Sequence, residues 1–338
     1  RNPDPNRRLK VGYVSSDFRG HTVAAFLEPL LRHRDPEQVE ITCFANVGRG
    51  DAKTEEFKTL ADRWHNVFHQ TNEQVAELVR DEEIDILVDF NGHTAHNRLL
   101  LFARKPAAIQ ATVFGYPDTT GMSQMDYRIS DPHADPEGAD RYYVEKLWRL
   151  PEVAWVCDPP PEAPEVGPLP ADRNGYVTFG SLNNLAKVTP EMIAVWSEVL
   201  TRVPKSKLIL LTGKGGFGGD RLRGLFAQHG IGADRVELKG RLSKPEYLAA
   251  HNEIDLYFDP YPYNGGVTSV DCLWMGTPFV TLAGDSYFTR QGLTLLTHVG
   301  LTQFVSRSDD EYRDVAVRSA NEVGTLRDLK GSLRDRVR

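Results

Sequence analysis

The feature that most constrains this chain is a twice-repeated alternation of short apolar runs with longer amphipathic stretches. In the first half the runs are Leu9–Val14, Glu40–Ala45, Ile84–Asp89, Ile109–Phe114 and Tyr127–Ile129. Thr22–His33 and Glu73–Glu82 between them carry helical periodicity. The second half offers Tyr176–Ser181, Lys207–Thr212, Val236–Lys239, Ile254–Asp259 and Pro278–Leu282 as strands. Pro190–Arg202, Asp220–Gln228, Lys244–His251 and Val267–Met275 read as helices. Continuous apolar strands separated by helices predict βαβ units, with a parallel sheet covered on both faces.

Between the halves, Pro159, Pro160, Pro161, Pro164, Pro168 and Pro170 crowd together with acids among them. Proline lacks the N–H that a helix interior or central strand needs, so this stretch reads as a linker. The expected division is an N-terminal Rossmann-like domain over 1–155, a linker over 156–172 and a C-terminal Rossmann-like domain over 173–338. A length of 338 residues fits two cores better than one. The fold class is therefore α/β, with two such domains facing across a cleft and ligands outside the carboxyl ends of the strands.

Bulk properties exclude several classes. A net charge of −7 gives no reason to expect nucleic-acid binding. No apolar run approaches the ~18 residues of a spanning helix, so no membrane partner is expected. Cys43, Cys157 and Cys272 are widely spaced and odd in number, which suits a reducing cytoplasm and no disulfide or zinc framework. The chain opens without Met and stops in a charged helical pattern, and it reads as a fragment of a longer protein.

The chemistry-bearing segments all follow strands. Asp259 to Asp271 passes from a buried strand through Gly265 and Gly266 into a helix. Glycine lets backbone approach a ligand, and the N–H groups of Val267 and Thr268 at the helix start suit a diphosphate. Asp271, one turn further, suits a ribose hydroxyl. A plain Ser/Thr cap after a glycine turn is the competing reading. Asn183, Asn184 and Lys187 follow the first strand of the second half, where a lysine can neutralise a departing diphosphate. A solvated lysine beside an Asx turn is the alternative there. His21 ends the segment Ser15–His21, where neutral imidazole can accept a proton or simply lie on the surface. Asn91–Thr94 and Gly115–Gly121 are loops suited to an acceptor surface or to turns alone. The chain has no Asp-X-Asp triplet, and Gly213–Gly216 lacks the spacing of a phosphate loop and reads as a surface loop.

Five segments in order resemble the protein O-linked N-acetylglucosamine transferases and their SPINDLY branch. They are Val11–His21, Asp85–Thr94, Gly115–Gly121 with Met125–Asp131, Val177–Lys187 and Pro262–Pro278. The resemblance implies a GT-B fold, no metal or other cofactor, and inverting transfer of N-acetylglucosamine from UDP-GlcNAc to protein Ser/Thr hydroxyls. It implies that His21 and Lys187 are catalytic, and that Asn184, Lys244, Tyr247, Gly265, Gly266, Val267, Thr268 and Asp271 hold the donor. Tyr247 stands where the transferase branch stacks a histidine on uracil. Gly266 replaces a histidine and Val267 a threonine. The partners so implied are a nucleotide-sugar donor, a protein or peptide acceptor, and N-terminal tetratricopeptide repeats in the longer protein. The resemblance also places the family's last helix beyond Arg338. Gly92–Thr94 and Gly180–Lys187 are closer to SPINDLY, whose plant members use GDP-fucose. An O-fucosyltransferase, a nucleotide-sugar epimerase and an inactive protein-binding module are the alternatives.

Overall fold

The apolar runs become parallel strands in two separate sheets. The computed structural model describes residues 4, 7–213, 216 and 218–337. It divides into two units, Arg1–Asp158 and Pro159–Arg338. Lys214 and Gly215 of the glycine-rich loop lie outside the described residues.

The first unit holds β1 (Leu9–Ser15), β2 (Val39–Ala45), β3 (Arg63–Asn66), β4 (Ile86–Asp89), β5 (Ile109–Thr112), β6 (Tyr127–Ser130) and β7 (Lys146–Arg149). Their order is β3-β2-β1-β4-β5-β6-β7, and every pair is parallel. The sheet is covered on both faces. Val14, Phe44, Leu87 and Phe102 lie in one apolar cluster, and Phe18, Leu27, Ile41 and Phe57 in another. Helix α1 spans Ala24–Arg32, α2 Ala52–Leu60, α3 Asn72–Asp81 and α4 Leu99–Phe102. Asp51 and Thr54 form a reciprocal cap on α2, and Thr71 and Gln74 on α3. Each satisfies backbone donors that a helix start leaves without partners.

The second unit holds β8 (Thr178–Ser181), β9 (Lys207–Leu211), β10 (Val236–Lys239), β11 (Leu256–Phe258), β12 (Phe279–Leu282) and β13 (Val305–Ser306). Their order is β10-β9-β8-β11-β12-β13, again all parallel. Its helices are α5 (Pro170–Asn174), α6 (Pro190–Arg202), α7 (Gly219–Gln228), α8 (Lys244–Ala250), α9 (Val267–Trp274), α10 (Gln291–His298), α11 (Asp309–Asn321) and α12 (Val323–Val337). The end of the proline-rich stretch is part of this unit. Leu169, Pro170 and Ala171 are buried, and Ala171 N–H donates to Asp255 at 2.8 Å. Pro170 opens α5 at a position where its missing N–H costs nothing.

Helix α12 fastens α8 and α9 at their C-terminal ends. Lys330 is buried on it and its Nζ donates to the His251 carbonyl at 3.1 Å, the Met275 carbonyl at 3.1 Å and Thr277 Oγ1 at 3.0 Å. Those carbonyls end α8 and α9, so one ammonium satisfies acceptors that helix ends leave open. Among the described residues no helix is long and apolar enough to cross a membrane.

Candidate functional site

In the second unit the predicted donor residues follow the carboxyl ends of β8, β10 and β11. The chain leaves β11 at Asp259, turns through Asn264, Gly265 and Gly266, and enters α9 at Val267. The first N–H groups of α9, on Val267 and Thr268, have no acceptor within the helix, and the positive end of the helix dipole lies there. Gly265 is required by space. A Cβ on it would lie 2.2 Å from Ser269 Oγ and 2.7 Å from Thr268 Oγ1. Thr268 Oγ1 donates to Asn183 Oδ1 at 2.8 Å, and Asn183 Nδ2 lies 3.0 Å from the buried Tyr257 hydroxyl. This chain of hydrogen bonds ties the end of β8 to the start of α9.

Lys187 lies on the short turn Leu185–Lys187 after β8. Its Nζ donates to the Asn264 carbonyl at 2.7 Å and sits 4.2 Å from the centre of the Tyr263 ring. Burial pushes its pKa down to about 8, against the pull of the Asp259 carboxylate. Lys244 opens α8, and its Nζ lies 2.6 Å from Asp271 Oδ2. Burial raises the Asp271 pKa, and Lys244 opposes the shift. The two predicted donor contacts therefore form one ion pair, with the Lys244 ammonium 5.3 Å from the Tyr247 ring centre.

Two predicted donor residues have local tasks. Asn184 is exposed, and its Oδ1 accepts from Ala186 N–H at 3.0 Å, capping the turn that carries Lys187. Tyr247 is half-buried, with its ring edge-on to His251 at 5.0 Å. Its hydroxyl points inward, where burial lifts the phenol well above its ordinary range. A cavity of about 1020 Å³ opens beside this region, lined by Asn183, Asn184, Leu211, Gly218 and Leu222 among others. Lys187 and α9 are not part of its lining.

In the first unit His21 is exposed ahead of α1. Its Nδ1 lies 3.3 Å from Val23 N and 3.5 Å from Asp17 Oδ1. A neutral ring can satisfy one of these at a time. Protonated on Nε2, it accepts from Val23. Protonated on Nδ1, it faces Asp17 and leaves a lone pair on Nε2. Asp17 is itself buried and held by Asn91 Nδ2 at 2.9 Å. Asn91 Oδ1 accepts from Ser16 N–H at 2.8 Å, and Asn91 Nδ2 also reaches Ser16 Oγ at 2.9 Å and Thr94 Oγ1 at 3.1 Å. Asp89 fixes that loop from β4 by accepting from Asn91 N–H at 3.1 Å and Gly92 N–H at 2.7 Å. His93 Nε2 lies 2.9 Å from the Thr120 carbonyl, so the Asn91–Thr94 and Gly115–Gly121 loops support one another. Gly115 makes this possible, because a Cβ there would lie 1.9 Å from the Phe90 carbonyl oxygen.

Sequence reading passed over Asp17, Asn91 and Asp259 as individual residues. Each acts through partners distant in the chain, such as Asn91 on Ser16 and Thr281 on Asp259. The detectable signal was their placement just after strands, where buried polar groups are expected to serve a site.

The family model described as glycosyl transferase family 41 matches residues 1–160 and 168–338. A curated relative from Arabidopsis thaliana, named as a probable UDP-N-acetylglucosamine–peptide N-acetylglucosaminyltransferase SPINDLY, is 40% identical over 98% of this chain and 37% of its own length. A solved mutant of the Thermobaculum terrenum O-GlcNAc transferase superposes with a TM-score of 0.95 at 38% identity, over 100% of this chain and 64% of that one. The lipopolysaccharide outer core galactosyltransferase WaaB shares the fold alone, with a TM-score of 0.54 at 12% identity. The chain thus spans little more than a third of the length of that curated relative.

Proposed function

This chain belongs to glycosyl transferase family 41, with a fold of the GT-B type, and on that premise we propose that it moves N-acetylglucosamine from UDP-GlcNAc to Ser or Thr hydroxyls of a protein, with inversion. The observation that carries this reading is the convergence of Lys187, the Lys244–Asp271 pair and the start of α9 in one unit. Two ammonium groups and a helix N-terminus suit the charge of a nucleoside diphosphate. The printed names of the SPINDLY relatives and of the T. terrenum enzyme support the choice of sugar and acceptor.

In the proposed step the acceptor oxygen attacks the anomeric carbon as the bond from that carbon to the diphosphate oxygen breaks. The hydroxyl proton passes to His21 or to a water that it orders. UDP leaves with the bonding electron pair, and Lys187 with the N–H groups of Val267 and Thr268 stabilises its new charge. Gly265 and Gly266 allow the close approach, Asp271 accepts from the ribose and Lys244 holds the nucleotide. Tyr247 borders the base. Asn184 shapes the turn under Lys187. Positive charge comes from the protein, with no metal taking part.

The remaining partners belong to the longer protein. We propose tetratricopeptide repeats before this core, as in the family that it resembles, and a cytoplasmic location, which suits three free cysteines.

The test is calorimetry of the chain against UDP and GDP with chelator present, followed by mass spectrometry of a Ser/Thr peptide incubated with UDP-GlcNAc. Tight UDP binding and a peptide gain of one N-acetylhexosamine are expected. Preference for GDP moves the reading to a fucosyl donor, and binding of neither nucleotide removes the donor site.

A further inference from the structure

Asp259 directly follows β11 and is completely buried. Its Oδ1 accepts from Gly265 N–H at 2.6 Å and lies 3.4 Å from Ser269 Oγ. Its Oδ2 accepts from Thr281 Oγ1 at 2.7 Å. Glycine makes room for the carboxyl on its other side, since a Cβ on Gly292 would lie 2.7 Å from Oδ2. A buried carboxylate needs both donors and a counter-charge. The donors are these three.

The counter-charge is Lys187, which acts on Asp259 across space and through the turn. Asp259 fixes Gly265, and the preceding residue, Asn264, gives its carbonyl to Lys187 Nζ. The other titratable groups facing Asp259 are Tyr257 of β11, Cys272 of α9 and Tyr312 of α11. Burial raises all three well above their ordinary values, so they stay uncharged. Lys187 is thus the cation that this carboxylate faces.

We propose that Asp259 is a positioning residue for the transfer, clamping the turn into α9 and keeping Lys187 a cation where the diphosphate departs. The proposal rests on the donor site read above. Burial lifts Asp259 to about 7 and lowers Lys187 to about 8, so each group's charge at neutral pH depends on the other. With the carboxylate present, Lys187 holds its proton to higher pH than its burial alone allows.

Asp259→Asn keeps the shape and the acceptor for Gly265 while removing the charge. Two readouts follow, on the whole chain. Reductive methylation with carbon-13 reports the Lys187 titration by NMR, and kcat is followed against pH. In Asp259→Asn the Lys187 titration and the alkaline limb of kcat both move down by about one pH unit. In Lys187→Arg, which cannot lose its proton in this range, the alkaline limb disappears. A Lys187 titration unmoved by Asp259→Asn overturns the proposal. An alkaline limb that survives unchanged in Lys187→Arg overturns it too, and does so even if Asp259→Asn fails to fold. Absence of UDP binding by the wild-type chain sinks the donor reading instead, and the NMR titration still decides what Asp259 does to Lys187.

Discussion

Lys244 at the start of α8 and Asp271, one turn into α9, form a 2.6 Å ion pair, with Asp271 buried and Lys244 exposed. The proposed donor site therefore already contains a cation and an anion bound to each other. Removing either leaves the other exposed to solvent or stranded in the protein. Asp271→Ala and Lys244→Ala are each expected to weaken UDP binding by about 10- to 100-fold, on the scale of one charge-assisted hydrogen bond. The double variant should lose less than the product of the two, because residues in contact do not add. Calorimetry of the four proteins checks this, and full additivity would show that the pair does not act as a unit.

In the proposed step Lys187 meets the charge that appears as the sugar leaves. Lys187→Ala should lower kcat by about 10²- to 10³-fold with little change in UDP affinity. Single-turnover kinetics beside a binding isotherm separate the two effects. Normal turnover would remove Lys187 from the step.

At 3.5 Å from His21 Nδ1, Asp17 favours the tautomer with Nε2 free, in competition with Val23 N–H at 3.3 Å, which favours the other. Asp17→Asn should reduce kcat by about tenfold or more while leaving UDP affinity alone, since general-base catalysis is worth about 10²-fold or more. Asp17 also holds Asn91, so the melting temperature must be measured alongside. A kcat within twofold of wild type in a fully folded variant would end this role.

His251 makes the second unit acid-sensitive. Burial lowers its pKa to about 3 from its ordinary 6.5, with its Nδ1 3.0 Å from the Tyr247 carbonyl. A group with a lowered folded pKa stays neutral in the fold and takes a proton on unfolding. Its stabilising contribution is complete above about 6.5 and is lost as pH falls toward 3, at about 1.4 kcal/mol per pH unit. Hydrogen exchange of β11 amides between pH 7 and 5 should show this slope, and His251→Gln should flatten it. An unchanged slope would assign the acid sensitivity elsewhere.

Much of this architecture was readable because buried parallel strands are continuous apolar runs. β1, β4, β9 and β12 announce themselves in that way. The edge strands of the first sheet do not. β3 is Arg-Trp-His-Asn and β7 is Lys-Leu-Trp-Arg. An edge strand has a neighbour on one side only and keeps polar side chains, so its sequence carries no apolar run. Helices α2, α10 and α11 also went unread, the last because its polar face is wide. Glycines and hydroxyls marked the loops that follow β1, β4, β8 and β11. Tyr247 shows the limit. Its ring is available for contact at an edge, but its hydroxyl is turned inward, and nothing local in the sequence tells which end of a tyrosine is buried.

The grip of Lys330 on His251, Met275 and Thr277 has a consequence for the order in which the molecule can be made. Strands β1 to β7 all lie before residue 150, so the first unit can close while the ribosome is still translating the second. α8 and α9 emerge far earlier than the lysine that fastens their ends. During synthesis α8 and α9 must wait, unfastened, until residue 330 has left the exit tunnel. A chain released without α12 would thus carry a finished first unit beside α8 and α9 whose ends are not yet locked.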